Sequence, residues 1–122
     1  LQAAVQYLTK LDLKKVRAYE NSLLEYATAA FLKLPNIQIL GTAEKKSAII
    51  TFTVDGVHAL DLGQLLDLQN ICVRTGTHCA QPLLSEFGVT TATRASFAFY
   101  NTLQEIDAFI AALEKAMSQL LR

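Results

Sequence analysis

Between Leu13 and Leu34 the apolar residues fall at Leu13, Val16, Leu23, Leu24, Ala27, Phe31 and Leu34. Steps of three, four and seven mark one face of a long helix. Thr9 and Asp12 offer a capping box at its start, and Pro35 with Asn36 ends it. Leu1 to Leu8 suits the tail of a preceding helix. Ile37 to Leu40, stopped by Gly41, has the pattern of a short strand, and Ser47 to Val54 is β-branched and closed by the turn pair Asp55-Gly56. Leu60, Leu62, Leu65, Leu66 and Leu68 predict a helix in spite of Gly63. Ile71 to Val73 reads as another short strand, with Cys72 in the core between two apolar neighbours. Thr75 to Pro82 reads as a loop with Gly76 as its flexible point, and Leu83 to Phe87 as one helical turn ending at Gly88.

From Arg94 to Tyr100 the chain alternates. Arg94, Ser96, Ala98 and Tyr100 would share one face of a strand, with Ala95, Phe97 and Phe99 on the other. Thr102 and Glu105 form a second capping box. Leu103, Ile106, Phe109, Ile110, Leu113, Met117 and Leu120 then give an amphipathic helix running to the end. The predicted order is helix, strand, strand, helix, strand, loop, strand, helix. It implies an α+β fold, a small antiparallel or mixed sheet covered by helices.

A length of 122 residues suits a single domain spanning 1–122, and a hydrophobic content of 52% supplies a core with no disulfide or metal staple. Lys plus Arg equals Asp plus Glu at 11 each. The one basic cluster, Lys10, Lys14, Lys15 and Arg17, is interleaved with Asp12 and followed by Glu20 and Glu25. That describes a solvated helix face and argues against nucleic acid. No apolar run is long enough to cross a membrane, and no signal peptide is visible. The C-x6-C spacing of Cys72 and Cys79 matches no zinc or redox motif, so reduced thiols in a cytoplasmic setting are expected. The chain starts at Leu1 with a helical pattern already under way. We therefore expect a piece of a longer protein, which leaves an organelle open as an alternative location.

The stretch most suggestive of chemistry is Arg74-Thr75-Gly76-Thr77-His78-Cys79-Ala80-Gln81-Pro82. It sets a cysteine in a loop just after a strand, a common place for reactive groups. A cationic neighbour such as Arg74 or His78 would favour the thiolate, which is the nucleophilic form. The plain alternative is a buried structural cysteine. Composition alone favours it, because free cysteine is among the most buried residue types.

Arg74-Thr-Gly-Thr-His-Cys79-Ala resembles the Arg-x-Gly-x-His-Cys-Ala signature of group II NifS-like cysteine desulfurases, the SufS/CsdA type. Further on, Arg94-Ala-Ser-Phe-Ala-Phe-Tyr-Asn-Thr102 is similar to that family's Arg-Ala-Ser-x-Ala-x-Tyr-Asn-Thr segment. His58-Ala-Leu-Asp-Leu-Gly63 resembles a family helix start, with Ala59 where a proline is common. The likeness runs in register from about Ala3 to the end.

The resemblance implies the small carboxy-terminal domain of a fold-type-I pyridoxal-phosphate enzyme, with residues 1–34 a helical segment linking to a large domain outside this chain. It implies an enzyme that turns L-cysteine into L-alanine and leaves a persulfide on Cys79 for sulfur transfer and iron–sulfur cluster assembly. Arg94 would hold the substrate carboxylate. Arg74, His78 and Gly76 would tune the thiol or shape its loop. No cofactor-binding residue and no metal ligand is expected here, because the Schiff-base lysine belongs to the large domain. The partners implied are L-cysteine, a sulfur-acceptor protein and a second copy of the intact enzyme. A selenocysteine lyase, or a persulfide-carrier or interaction domain without catalysis, are the alternatives.

Overall fold

The computed structural model describes residues 1–121. Two helices open the chain, α1 (Gln2–Leu8) and α2 (Leu13–Phe31). Asp12 alone caps α2, its Oδ1 accepting from the N–H groups of Lys14 and Lys15 at 3.1 and 3.3 Å. The Thr9–Asp12 box does not form. Thr9 closes α1 instead, and its hydroxyl donates to the Gln6 carbonyl. Helix α2 stops at Phe31, short of the expected Leu34, although Leu34 is still buried.

Four strands follow: β1 (Ile37–Leu40), β2 (Ile49–Val54), β3 (Arg74–Gly76) and β4 (Ala92–Ser96). They form one sheet in the order β1-β2-β4-β3, with every neighbouring pair antiparallel. Helix α3 (Ala59–Asp67) joins β2 to β3, α4 (Gln81–Glu86) joins β3 to β4, and α5 (Leu103–Leu120) closes the chain. The fold is the α+β arrangement the periodicity predicts, with a purely antiparallel sheet.

One sheet face carries Ile50, Phe52, Val54 and Ala95 into a core shared with α2, α3 and α5. Phe31 of α2 links the layers, with ring centroids 4.9 Å from Phe52 and 5.5 Å from Phe109. On the other face Leu40 and Ala92 meet Leu84 of α4 in a much smaller cluster.

Gly63 has a packing reason. A Cβ there would lie 2.6 Å from Cγ2 of Thr75, so the missing side chain is what lets α3 lie against β3. His58 starts α3, its Nδ1 accepting from the Leu60 N–H at 3.3 Å. The Thr102–Glu105 box is present in both directions at the start of α5.

Two strand expectations are corrected. Ladder pairing in the third strand begins at Arg74, not Ile71, so Thr75 and Gly76 belong to β3 rather than to the loop. Cys72 is exposed. Ile71 and Val73 both pack against the core, and alternation then turns the residue between them outward. The fourth strand ends at Ser96 rather than Tyr100. Beyond it the chain turns: the Asn101 N–H donates to the Ala98 carbonyl, and the Asn101 side chain accepts from the Ala98 N–H. Tyr100 is 75% exposed and lies on no strand face.

Candidate active site

Strands β3 and β4 pair with Arg74 opposite Arg94, Thr75 opposite Thr93 and Gly76 opposite Ala92. Directly opposed side chains of an antiparallel pair lie on the same face. Thr93 and Ala95 are buried toward the helices, so Arg74 and Arg94 stand together on the other face. Like charges directly opposite are destabilising. Arg94 is half-buried, and its Nε is sealed from solvent with no hydrogen-bond partner. Two arginines opposed in register on one face, one with an orphaned donor, have the chemistry of an anion receptor.

The chain leaves β3 through Gly76 at φ +117, a conformation L side chains rarely adopt. A Cβ there would meet nothing, so the requirement is conformational and not spatial. His78 and Cys79 follow at φ 55 and 57. Left-handed conformation costs a non-glycine residue roughly 1–2 kcal/mol, so two in succession need external ties. One is the bond from the Ala80 N–H to the Thr77 carbonyl at 2.9 Å. Another is the bond from His78 Nε2 to the Ala92 carbonyl, also 2.9 Å. The third is α4, which starts at Gln81 and is anchored through buried Leu84.

The reversal brings Cys79 back over the strand it has just left. Its Sγ lies 3.8 Å from Nη2 of Arg74 and is exposed. The structure therefore brings Arg74, Cys79 and Arg94 to one edge of the sheet, with Gly76 and His78 shaping the turn between them. Neither His78 nitrogen is bonded to the thiol. Nε2 serves Ala92, and Nδ1 is buried without a partner. The Ala92 carbonyl is the site component the sequence did not suggest, because a backbone acceptor leaves no residue-type signal.

Lysine is absent from residues 74–96. Lys46 donates to the Gly41 carbonyl in the β1–β2 loop, and Lys115 lies on α5. The residues described here thus offer no Schiff-base lysine beside the thiol. A group anchored through such a lysine, as pyridoxal phosphate is, does not fit these described residues by themselves. Among the described residues no cluster of His, Cys, Asp or Glu is placed to hold a metal ion.

Residues 1–109 match the family model described as aminotransferase class-V. A probable cysteine desulfurase of Xylella fastidiosa (strain 9a5c) is 44% identical over 120 residues, covering 98% of this chain and 29% of that protein. The cysteine desulfurase CsdA of Escherichia coli, solved in an S-sulfonic acid form, superposes with a TM-score of 0.90 at 37% identity, covering 97% of this chain and 29% of that one. The apo cysteine desulfurase of Thermococcus onnurineus NA1 gives a TM-score of 0.89 at 30% identity, covering 97% and 30%. The chain thus spans under a third of the length of these relatives, as the small α+β domain of fold-type-I enzymes. A matching family model over most of its length, together with this fold, leads to one conclusion: the chain belongs to the aminotransferase class-V family.

Proposed function

We propose that this domain is the sulfur-handling half of a cysteine desulfurase active site, of the SufS/CsdA group. The observation that carries the reading is the opposed pair Arg74 and Arg94, with Cys79 Sγ 3.8 Å from the first and an orphaned buried Nε on the second. L-Cysteine presents a carboxylate and a sulfur a short distance apart. The receptor offers a guanidinium for each. Arg94 binds the carboxylate in its fork. Arg74 stands at the sulfur, its Nη2 donating toward Cys79 Sγ at 3.8 Å.

In this reading Cys79 Sγ attacks the sulfur of the bound cysteine. The substrate C–S bond breaks as an S–S bond forms, and Cys79 thiol plus cysteine become Cys79 persulfide plus alanine. Atoms and electrons balance with no external oxidant or reductant. Pyridoxal phosphate, held by a large domain outside this chain, would supply the electron sink for C–S cleavage. The exposure of Cys79 and its place on a loop suit a persulfide that is handed to an acceptor protein.

Residues 1–122 act as one carboxy-terminal domain, with 1–34 as the link to that large domain. None of the residues of α1 is buried, and Val5, Tyr7 and Leu8 are apolar and exposed, which suits a docked segment. The intact enzyme is proposed to be a cytoplasmic homodimer.

The test is made in the intact, cofactor-loaded enzyme. Arg94→Ala is expected to raise KM for L-cysteine strongly. Arg94→Lys is expected not to restore it, since an ammonium cannot reproduce the fork. Cys79→Ser is expected to bind cysteine and yield no persulfide on this domain. Unchanged kinetics in both arginine variants, or a persulfide mapped elsewhere, would sink the reading.

A further inference from the structure

We infer that His78 is the positioning residue of the sulfur-handling loop: its Nε2–H bond to the Ala92 carbonyl sets Cys79 Sγ beside Arg74. The inference rests on the desulfurase reading and adds to it how the thiol is held.

The Ala92 carbonyl can only accept, so Nε2 must carry the proton at 2.9 Å. Nδ1 is then the lone-pair nitrogen, and it is buried without a partner. The only ring nitrogen free to take a proton is therefore sealed off, and His78 is bonded to Cys79 Sγ through neither nitrogen. This geometry suits a strut and not a general base.

The strut is aimed at a particular place. Ala92 lies opposite Gly76, the last residue of β3. There the chain leaves the ladder at φ +117 and runs through His78 and Cys79 at φ 55 and 57. The imidazole reaches back across this reversal to β4, the strand that also bears Arg94. One strand thereby references both ends of the receptor: Arg94 directly, and the thiol through His78. Without the bond, two adjacent left-handed residues lose the tie that offsets their strain, and Sγ is no longer fixed against Arg74.

Three variants of the intact, cofactor-loaded enzyme test this: His78→Gln, whose amide N–H can donate; His78→Phe, which fills the space without a donor; and His78→Ala. Iodoacetamide labelling read by peptide mass gives the Cys79 rate, with exposed Cys72 as internal reference. Turnover gives kcat and KM for L-cysteine. For His78→Phe and His78→Ala, the Cys79-to-Cys72 labelling ratio and kcat are expected to fall at least about tenfold, since a misplacement of about 1 Å can cost a hundredfold. KM should stay within about twofold, because Arg94 is untouched. His78→Gln should recover most of both losses. Wild-type labelling and kcat in His78→Phe would overturn the inference. So would a His78→Gln variant with native melting that is as impaired as His78→Phe, and this second result decides the matter even where His78→Phe or His78→Ala does not fold. If Cys79→Ser made alanine at the wild-type rate, the desulfurase reading itself would fall, whatever His78 does.

Discussion

On the helix side of the sheet, Ile50, Phe52 and Ala95 lie under α2, α3 and α5, and Phe52 is entirely buried against Phe31. On the opposite side the sheet carries Thr51, Arg74 and Arg94, and there Leu84 of short α4 packs on Leu40 and Ala92 in a small cluster. Adjacent residues of β4 show the contrast in one step. Thr93 and Ala95 are buried, while Arg94 between them faces the other side, half-buried and with its Nε unpaired. The first face is organised to exclude water. The second holds like charges in register and two left-handed residues in a row, arrangements that cost stability and make sense when an anionic ligand supplies the missing partner. Folding energy comes from one side of the sheet and, on the proposed function, chemistry from the other, so substitutions on the two sides should separate stability from activity.

The largest effect expected is Phe52→Ala, which opens a cavity beside the Phe31 ring. It should cost about 3–5 kcal/mol in denaturant unfolding. A loss below about 1 kcal/mol, the range of an exposed position, would mean this face is not the seat of stability.

Gly63→Ala comes next, because it acts where the core side meets the site strand. The new methyl would press on Thr75 Cγ2 at 2.6 Å and should cost about 1–3 kcal/mol, the usual range for overpacking. Adding Thr75→Ser removes that methyl and should restore most of the loss. A double variant no better than the single would show that α3 reaches β3 by some other constraint.

Arg74→Gln should leave stability unchanged or raise it by about 0.2–1 kcal/mol, since it relieves the opposed charges, while slowing alkylation of Cys79 relative to Cys72. A clear loss of stability would mean that Arg74 serves the fold and not the anion.

The two faces were also unequally legible in the sequence. Apolar spacing located α2, α3 and α5, and alternation located the buried side of β4, because burial on one face leaves a periodic trace, while β-branched residues and the Asp55-Gly56 turn located β2. Composition gave no reason to prefer a reactive Cys79 over a buried one. That preference came from the motif resemblance, since an exposed functional face obeys no hydrophobic period. Cys72 was misjudged by weighing its apolar neighbours instead of applying the alternation they imply. The end of β4 was misjudged because Phe97 to Tyr100 continues an apolar pattern that the Asn101 turn interrupts. Part of the second motif turns out to be structural. Asn101 holds that turn, and Thr102 caps α5. The Ala92 carbonyl could not have been found at all, because the contact depends on β3 and β4 being paired.

The smallest effect expected belongs to that cap and probes the helix side alone. The Glu105 carboxylate accepts from the Thr102 N–H at 2.8 Å and from the Asn101 side-chain amide at 3.3 Å. These donors, the backbone one foremost, hold its carboxyl below the ordinary glutamate value. A depressed carboxyl stabilises the fold above its unfolded value, about 4.3, and that contribution is lost as pH falls through the lower folded value. Glu105→Gln keeps an oxygen that can accept from Thr102 but carries no charge. Wild type should therefore melt at a higher temperature than Glu105→Gln at pH 6, and the gap should close as pH is lowered through about 4 toward 3. The site face contributes nothing to this gap, so adding Arg74→Gln to both proteins should leave it unaltered. A gap that stays constant from pH 6 to pH 3 would show that the Glu105 charge is not what the cap uses. A gap altered by Arg74→Gln would show that the two faces are coupled and break the separation argued above.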